Sequence, residues 1–356
     1  MADSGNYEDV VKVRKDEGFA QFEEHHKGVM GRVQHALHVN PALVPLIILS
    51  LAVVVFGLLL GERFFSPGTL TLILQQVQIV GILAAAQTLV ILTAGIDLSV
   101  GAIAVFSSVI MGQFTFRYGL PAPVAIACGM VIGTAIGAAS GWLVSRVKIP
   151  PFIVTLGMWQ IVLAANYLYS RNETIRSREI QDAAPSLQFL GNRIEIGGAN
   201  FTFGVILMIL IVVALGYALR STAWGRHVYS VGDDPEAAKL AGVDVHRTLM
   251  SVYMLTGFIC ALAGWVMIGR FSSVSPSAST GVVGNIQSIT AVVIGGISLF
   301  GGRGSIYGAF FGALIVGVFE MGLRMAGADP QWTFLLIGML IIAAVGADQW
   351  IRKVSA

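Results

Sequence analysis

The chain has 356 residues, of which 55% are hydrophobic and only 12% charged. Soluble domains carry about 25% charged residues, so half that share excludes a surface bathed in water on every side. A formal net charge of +2, with its basic residues scattered through short segments, argues equally against a nucleic-acid partner.

Residues 1–40 hold five Lys/Arg and seven Asp/Glu ahead of the first apolar run. That mixture predicts a cytoplasmic N-terminal tail or amphipathic lead-in, not a cleaved leader. From Pro41 onward, uncharged intervals follow one another: 41–61, 64–96, 98–116, 118–145, 149–170, 196–219, 248–269, 271–302, 304–319 and 330–347. A crossing helix needs roughly 20 apolar residues. The expected fold is therefore an all-α polytopic integral membrane protein with about ten transmembrane helices. Open strands would leave backbone groups unpaired in lipid, and the alternation of a β-barrel is missing. The 42 glycines suit close helix packing in a membrane. Around 285–325 the glycines break two short spans, one of which could be reentrant.

Lysine and arginine set the expected sidedness. With the N-terminus inside, the inner segments hold 14 of the 22 basic residues. Both termini are then cytoplasmic, around a transmembrane domain over 41–350 and a short C-terminal end at 351–356. A hydrophilic segment at 171–200 falls outside, in the periplasm, and another at 220–247 falls inside.

The inner segment carries the clearest local signals. Asp233, Asp234 and Pro235 mark a helix start, because an Asx side chain accepts an orphan N–H and proline lacks one. Glu236 suits the first turn, "EAAKLA" favours helix, and Gly242 supplies a left-handed stop. One short capped helix is expected between two spans. It reads either as a tidy surface turn or as a docking element offering Ala237, Ala238, Leu240 and Ala241 to a groove. The chain has no GxxxxGK[ST] loop, and "GGRGS" at 301–305 lacks the lysine, so no catalytic residues for nucleotide hydrolysis are expected.

Ionisable groups are nearly absent from the spans. Asp97 could cap the third helix, accept backbone bonds at a broken helix, or face a solute path. Glu320 and Arg324, four apart, are expected to pair. Neutral amides remain as path candidates, since they both donate and accept. The candidate translocation path comprises Gln75, Gln78, Gln87, Asp97, Asn166 and Asn285, although each amide could equally tie helices together. Gln76, Gln160 and Gln287 also lie in these stretches. Trp142, Trp159 and Trp265 could present aromatic faces to a sugar or anchor the chain at the interface. Cys128 and Cys260 read as core residues, and the six histidines match no zinc spacing, so no metal site is expected. "GIDLSVG" at 95–101 and "GISLFGG" at 296–302 hint at an internal duplication.

Four stretches together resemble a known family: "LTAGIDLSVGA" at 92–102, "PPFIVTLGM" at 150–158, "GRHVYSVGDDPEAAKLAGVDV" at 225–245 and "AVVIGGISLFGGRGS" at 291–305. The chain resembles the permease subunits of bacterial ABC importers for ribose, xylose, galactose, arabinose and fructose. It looks nearest the fructose-import permeases through "HVNPALVPLI", "SVIMGQFTFRYGLP" and "DPQWTFLLIGMLI". The resemblance implies an inner-membrane subunit that translocates a monosaccharide and binds no cofactor itself. It implies three kinds of partner: a cytoplasmic ATP-binding subunit that uses the ATP, a periplasmic sugar-binding protein, and a second permease chain. It also implies that Gly232, Asp233, Asp234, Pro235, Glu236, Ala237, Ala238, Lys239, Leu240, Ala241, Gly242 and Val243 couple this chain to the ATPase. The rival readings are a self-contained secondary transporter and a permease for another small polar solute.

Overall fold

The computed structural model describes residues 42–355; the tail expected over residues 1–40 lies outside them. Ten main helices run α1 (Leu43–Leu60), α2 (Pro67–Leu92), α3 (Val100–Tyr118), α4 (Ala122–Ser145), α5 (Pro151–Ser170), α7 (Phe203–Ser221), α10 (Val245–Phe271), α11 (Ala278–Ile294), α12 (Ile306–Met325) and α13 (Pro330–Ser355). Between them lie three short ones, α6 (Ser177–Ala183), α8 (Ala223–Asp233) and α9 (Pro235–Leu240). Each of the ten apolar intervals therefore contains a helix. Among the described residues eight helices are long and apolar enough to cross a membrane, and Ala278–Ile294 and Gln331–Ala343 add two shorter apolar stretches.

Local chemistry sets many of these boundaries. The Ser66 hydroxyl accepts from Thr69 N at 3.2 Å, and Pro67 fills the first position of α2. Gly119, with φ 68°, closes α3 in the left-handed region. Pro150 and Pro151 open α5.

α2 is the central element. From Val77 to Leu92 every one of its side chains is buried. α10 lies against α4, which turns Ala125, Gly129, Gly133, Gly137 and Gly141 inward at four-residue spacing. Gly133 and Gly137 meet Gly257 and Tyr253 of α10 backbone to backbone. Close approach of this kind is how helices associate where lipid offers no hydrophobic drive. α1, α4 and α5 keep most of their surface outward.

Three features depart from the expectations. The segment at 220–247 holds two helices, not one: α8 precedes α9, and its buried Gly225, Val228, Val231 and Gly232 form a single inward face. The outer segment contains a β-hairpin, β1 (Arg193–Ile196) and β2 (Ala199–Thr202), turning through Gly197 and Gly198. The glycines of 306–325 do not break α12, which is continuous; Gly308 and Gly312 instead admit the backbone of α11's end at Gly295 and Ala291. Within the C-terminal end expected at 351–356, residues up to Ser355 continue α13.

Candidate functional site

The chain between α2 and α3, residues 93–99, does not stay at the bundle's end. Gln87, with its amide oriented to suit both partners, donates to Asp97 O at 3.0 Å and accepts from Asp97 N at 3.1 Å. Gln87 lies five residues before the end of α2, so Asp97 has returned about 7 Å into the bundle. α3 thus begins below the end of α2. Residues 93–99 thus form a reentrant stretch, a geometry that the sequence allowed only as an alternative near 285–325.

Backbone inside a membrane must find partners within the protein. The reentrant stretch obtains them from four directions. Asp97 Oδ1 accepts from Ser99 N at 2.7 Å and from the Ser99 hydroxyl, closing a local turn. Thr155 of α5 donates to Ile96 O at 2.9 Å. Asn285 of α11 donates through Nδ2 to Leu98 O and accepts through Oδ1 from Gly101 N. Asn285, not Asp97, therefore caps α3. Gly101 and Gly281 allow α3 and α11 to touch where Asn285 makes these bonds.

At the level of Leu92 the same stretch meets α8. Gly302 N donates to Leu92 O at 3.0 Å, and Gly232 Cα lies against both groups. Tyr229 Oη donates to Gly304 O at 2.9 Å. Burial pushes the Tyr229 hydroxyl above its ordinary range, which keeps it a neutral donor. Leu92 and Ala94, just ahead of "GIDLSVG", thus meet Gly301 and Gly302, the last two residues of "GISLFGG", with the end of α8 at Gly232 against both. A Cβ at position 232 would strike Leu92 O and come 2.7 Å from Gly302 N, both of them backbone. Gly232→Ala should therefore force the loops apart and cost about 1–3 kcal/mol, read as a lowered thermal midpoint of the detergent-solubilised protein.

Beyond this junction α9 turns outward. Asp234 Oδ1 accepts from Glu236 N and Ala237 N at 2.9 and 3.0 Å, Pro235 occupies the first position, and Gly242 has φ 85°. Ala238 packs inward, while Leu240 is 90% exposed, the largest value among the described large hydrophobic residues.

Residues 69–345 match the family described as branched-chain amino acid transport system / permease component. The chain belongs to this permease family. It is similar to the fructose import permease protein FrcC of Rhizobium meliloti, at 66% identity over 95% of this chain and 93% of that one. The ribose import permease protein RbsC of Escherichia coli K12 shares 33% identity over 81% of this chain and 88% of its own. The D-allose transport system permease protein AlsC of the same strain shares 30% over 86% and 91%. No solved structure matches the chain.

The permease does not gather the six sequence-derived path residues into one cavity. Gln87, Asp97 and Asn285 come together in the reentrant junction. Gln78 lies apart, accepting from the Thr202 hydroxyl at 2.7 Å and so tying α2 to β2. Gln75 is buried, and its backbone carbonyl accepts from Arg270 Nε at 3.2 Å. Asn166 faces a narrow cleft between α3, α5 and α11 that it shares with Trp159, with room for about one water molecule. Glu320 and Arg324 pair at 3.1 Å, as their spacing predicts. Among the described residues no group of three His, Cys, Asp or Glu side chains could hold a metal ion. Thr155 and Tyr229 were missed from the sequence. A threonine and a tyrosine carry no signal until their carbonyl partners, 59 and 75 residues away, are placed.

Proposed function

We propose that this permease is the membrane subunit of a binding-protein-dependent importer that carries a monosaccharide, with fructose the leading candidate, across the bacterial inner membrane. α8 and α9 face the cytoplasm together with both termini, and a separate ATP-binding subunit hydrolyses ATP. A periplasmic sugar-binding protein delivers the solute, and two permease chains flank the path. The observation that carries this reading is Leu240: a leucine 90% exposed on a polar, doubly capped helix outside the apolar stretches. Exposed leucines on α1 have lipid to cover them; this one lies outside the apolar stretches, where a protein partner can cover it.

The family description names branched-chain amino acids, whereas the relatives above are named for sugars. An amino acid brings an ammonium and a carboxylate, and each would need an opposite charge when desolvated. The cleft beside Asn166 is lined by Ala102, Val105, Trp159, Leu163, Ala278 and Gly281, none of them charged. That lining offers neither charge a partner, in line with a neutral solute. In the same reading Gln87, Asp97 and Asn285 position α3, and Asn166 faces the path.

The test is reconstitution of the permease with its ATP-binding subunit and binding protein in proteoliposomes. ATP-dependent uptake of labelled fructose, or of another monosaccharide, is the expected result. Uptake driven by an ion gradient without the ATPase would replace this reading with the secondary transporter. Uptake of leucine but of no sugar would replace the solute.

A further inference from the structure

Two independent observations single out one strip of α5. The first is Asn166, which is 2% exposed. Its Nδ2 donates to Pro276 O at 2.9 Å, which fixes the amide, yet its Oδ1 has no hydrogen-bond partner among the described residues. Buried carbonyl oxygens rarely lack a donor without reason. This one lies on the wall of the cleft lined also by Trp159, Leu163 and Gly281. Trp159, Leu163 and Asn166 follow one another at four- and three-residue steps, so they share a face of α5.

The second observation is Gln160. It is the tenth of the twenty residues of α5 and is exposed, beside exposed Ile153, Ile161 and Leu168. The middle of a crossing helix is where an amide facing hydrocarbon is least tolerated, because nothing there can pair with it. Gln160 lies about 100° around the helix from Trp159, which places it beside the cleft face.

We propose that Trp159, Gln160 and Asn166 form a contact strip for a hydroxylated solute passing along α5. Asn166 Oδ1 accepts from a ring hydroxyl, and the Gln160 amide both donates to and accepts from its neighbours. The Trp159 indole takes the apolar C–H face of the sugar ring. The strip lacks charge, so it selects for polyols over ions without binding either tightly. The cleft is too narrow for a sugar as it stands, so passage requires α5 to part from α3 and α11, the two helices that Asn285 joins. The proposal rests on the transport reading above and adds the contacts that reading leaves open.

The test uses the complete complex in proteoliposomes, with Trp159→Leu and Gln160→Leu made separately. Each should lower sugar uptake about five- to tenfold, the loss of one or two modest contacts, while the permease still co-purifies with its ATP-binding subunit. Uptake within twofold of the parent for both variants would overturn the strip and leave the transport reading standing. A parent complex that imports no monosaccharide would instead remove the transport reading and the strip with it. Should a leucine variant fail to assemble, Gln160→Cys in a Cys128→Ser background decides. Modification by a membrane-impermeant thiol reagent, slowed by sugar, is expected. Reaction with lipid-soluble maleimide only, unaffected by sugar, would refute the proposal.

Discussion

Leu240→Asp should leave the permease folded and membrane-inserted while cutting ATP-dependent sugar uptake by about thirty- to a hundredfold. The leucine is 90% exposed, so the isolated chain gains almost nothing from it. Substitutions at such positions stay within about 0.5 kcal/mol of the parent. In the proposed importer the same side chain is buried against the ATP-binding subunit. Aspartate there removes leucine burial and places an unpaired carboxylate in an apolar groove, a combined cost of about 2–3 kcal/mol at a central contact. Ala238 provides the contrast on the same helix. It is 4% exposed and turned inward, so Ala238→Asp should reduce the yield of folded protein instead. Uptake and co-purification checked side by side separate the two outcomes. Normal ATPase association in Leu240→Asp would remove the docking role from α9.

Asn285→Leu should lower the thermal midpoint sharply and abolish uptake. The amide makes two bonds across the bundle, to Leu98 O and from Gly101 N. Leucine leaves both backbone groups buried and unpaired, each at about 1–3 kcal/mol, so a loss of about 2–5 kcal/mol is expected. Asn285→Asp keeps the acceptor for Gly101 N and forfeits the donor to Leu98 O. It should fall between the two, and an ordering in which aspartate is worse than leucine would mean that charge, not pinning, dominates at this site. A midpoint unchanged in both variants would show that the start of α3 is held by other means.

The sequence disclosed the helices because their signal is apolar length: each of the ten intervals predicts a helix, and eight of the helices among the described residues are long and apolar enough to cross a membrane. The punctuation around α9 was equally legible, since Asp234, Pro235 and Gly242 act on their immediate neighbours. α8 went unread although its signal is present. Gly225, Val228, Val231 and Gly232 recur at helical spacing, but two of the four are glycines, and glycine argues against helix when read alone. The hairpin similarly hid in Gly197-Gly198, between two strands of only four residues each.

The junction itself could not be read locally. Gly101 and Asn285 are 184 residues apart, and nothing in either neighbourhood names the other. Three readings of Asp97 stood open for that reason. Its own carboxylate closes a turn on Ser99, while its main chain is held by Gln87, an amide that looks from sequence like a path residue. Amides in a membrane bundle serve backbone as readily as solute, and only placement tells which.

The meeting of Leu92, Gly232 and Gly302 has a mechanical corollary. Three main-chain segments share one point with no side chain between them to bend, so the contact has almost no slack. A displacement of the helix bearing Gly232 must reach the end of α2 and the Gly301-Gly302 loop at once, and through them α3 and α12 in step. On the proposed importer reading, a bulkier residue at that point would act like grit in a bearing: the ATP-binding subunit would still turn over, with little sugar moved per cycle.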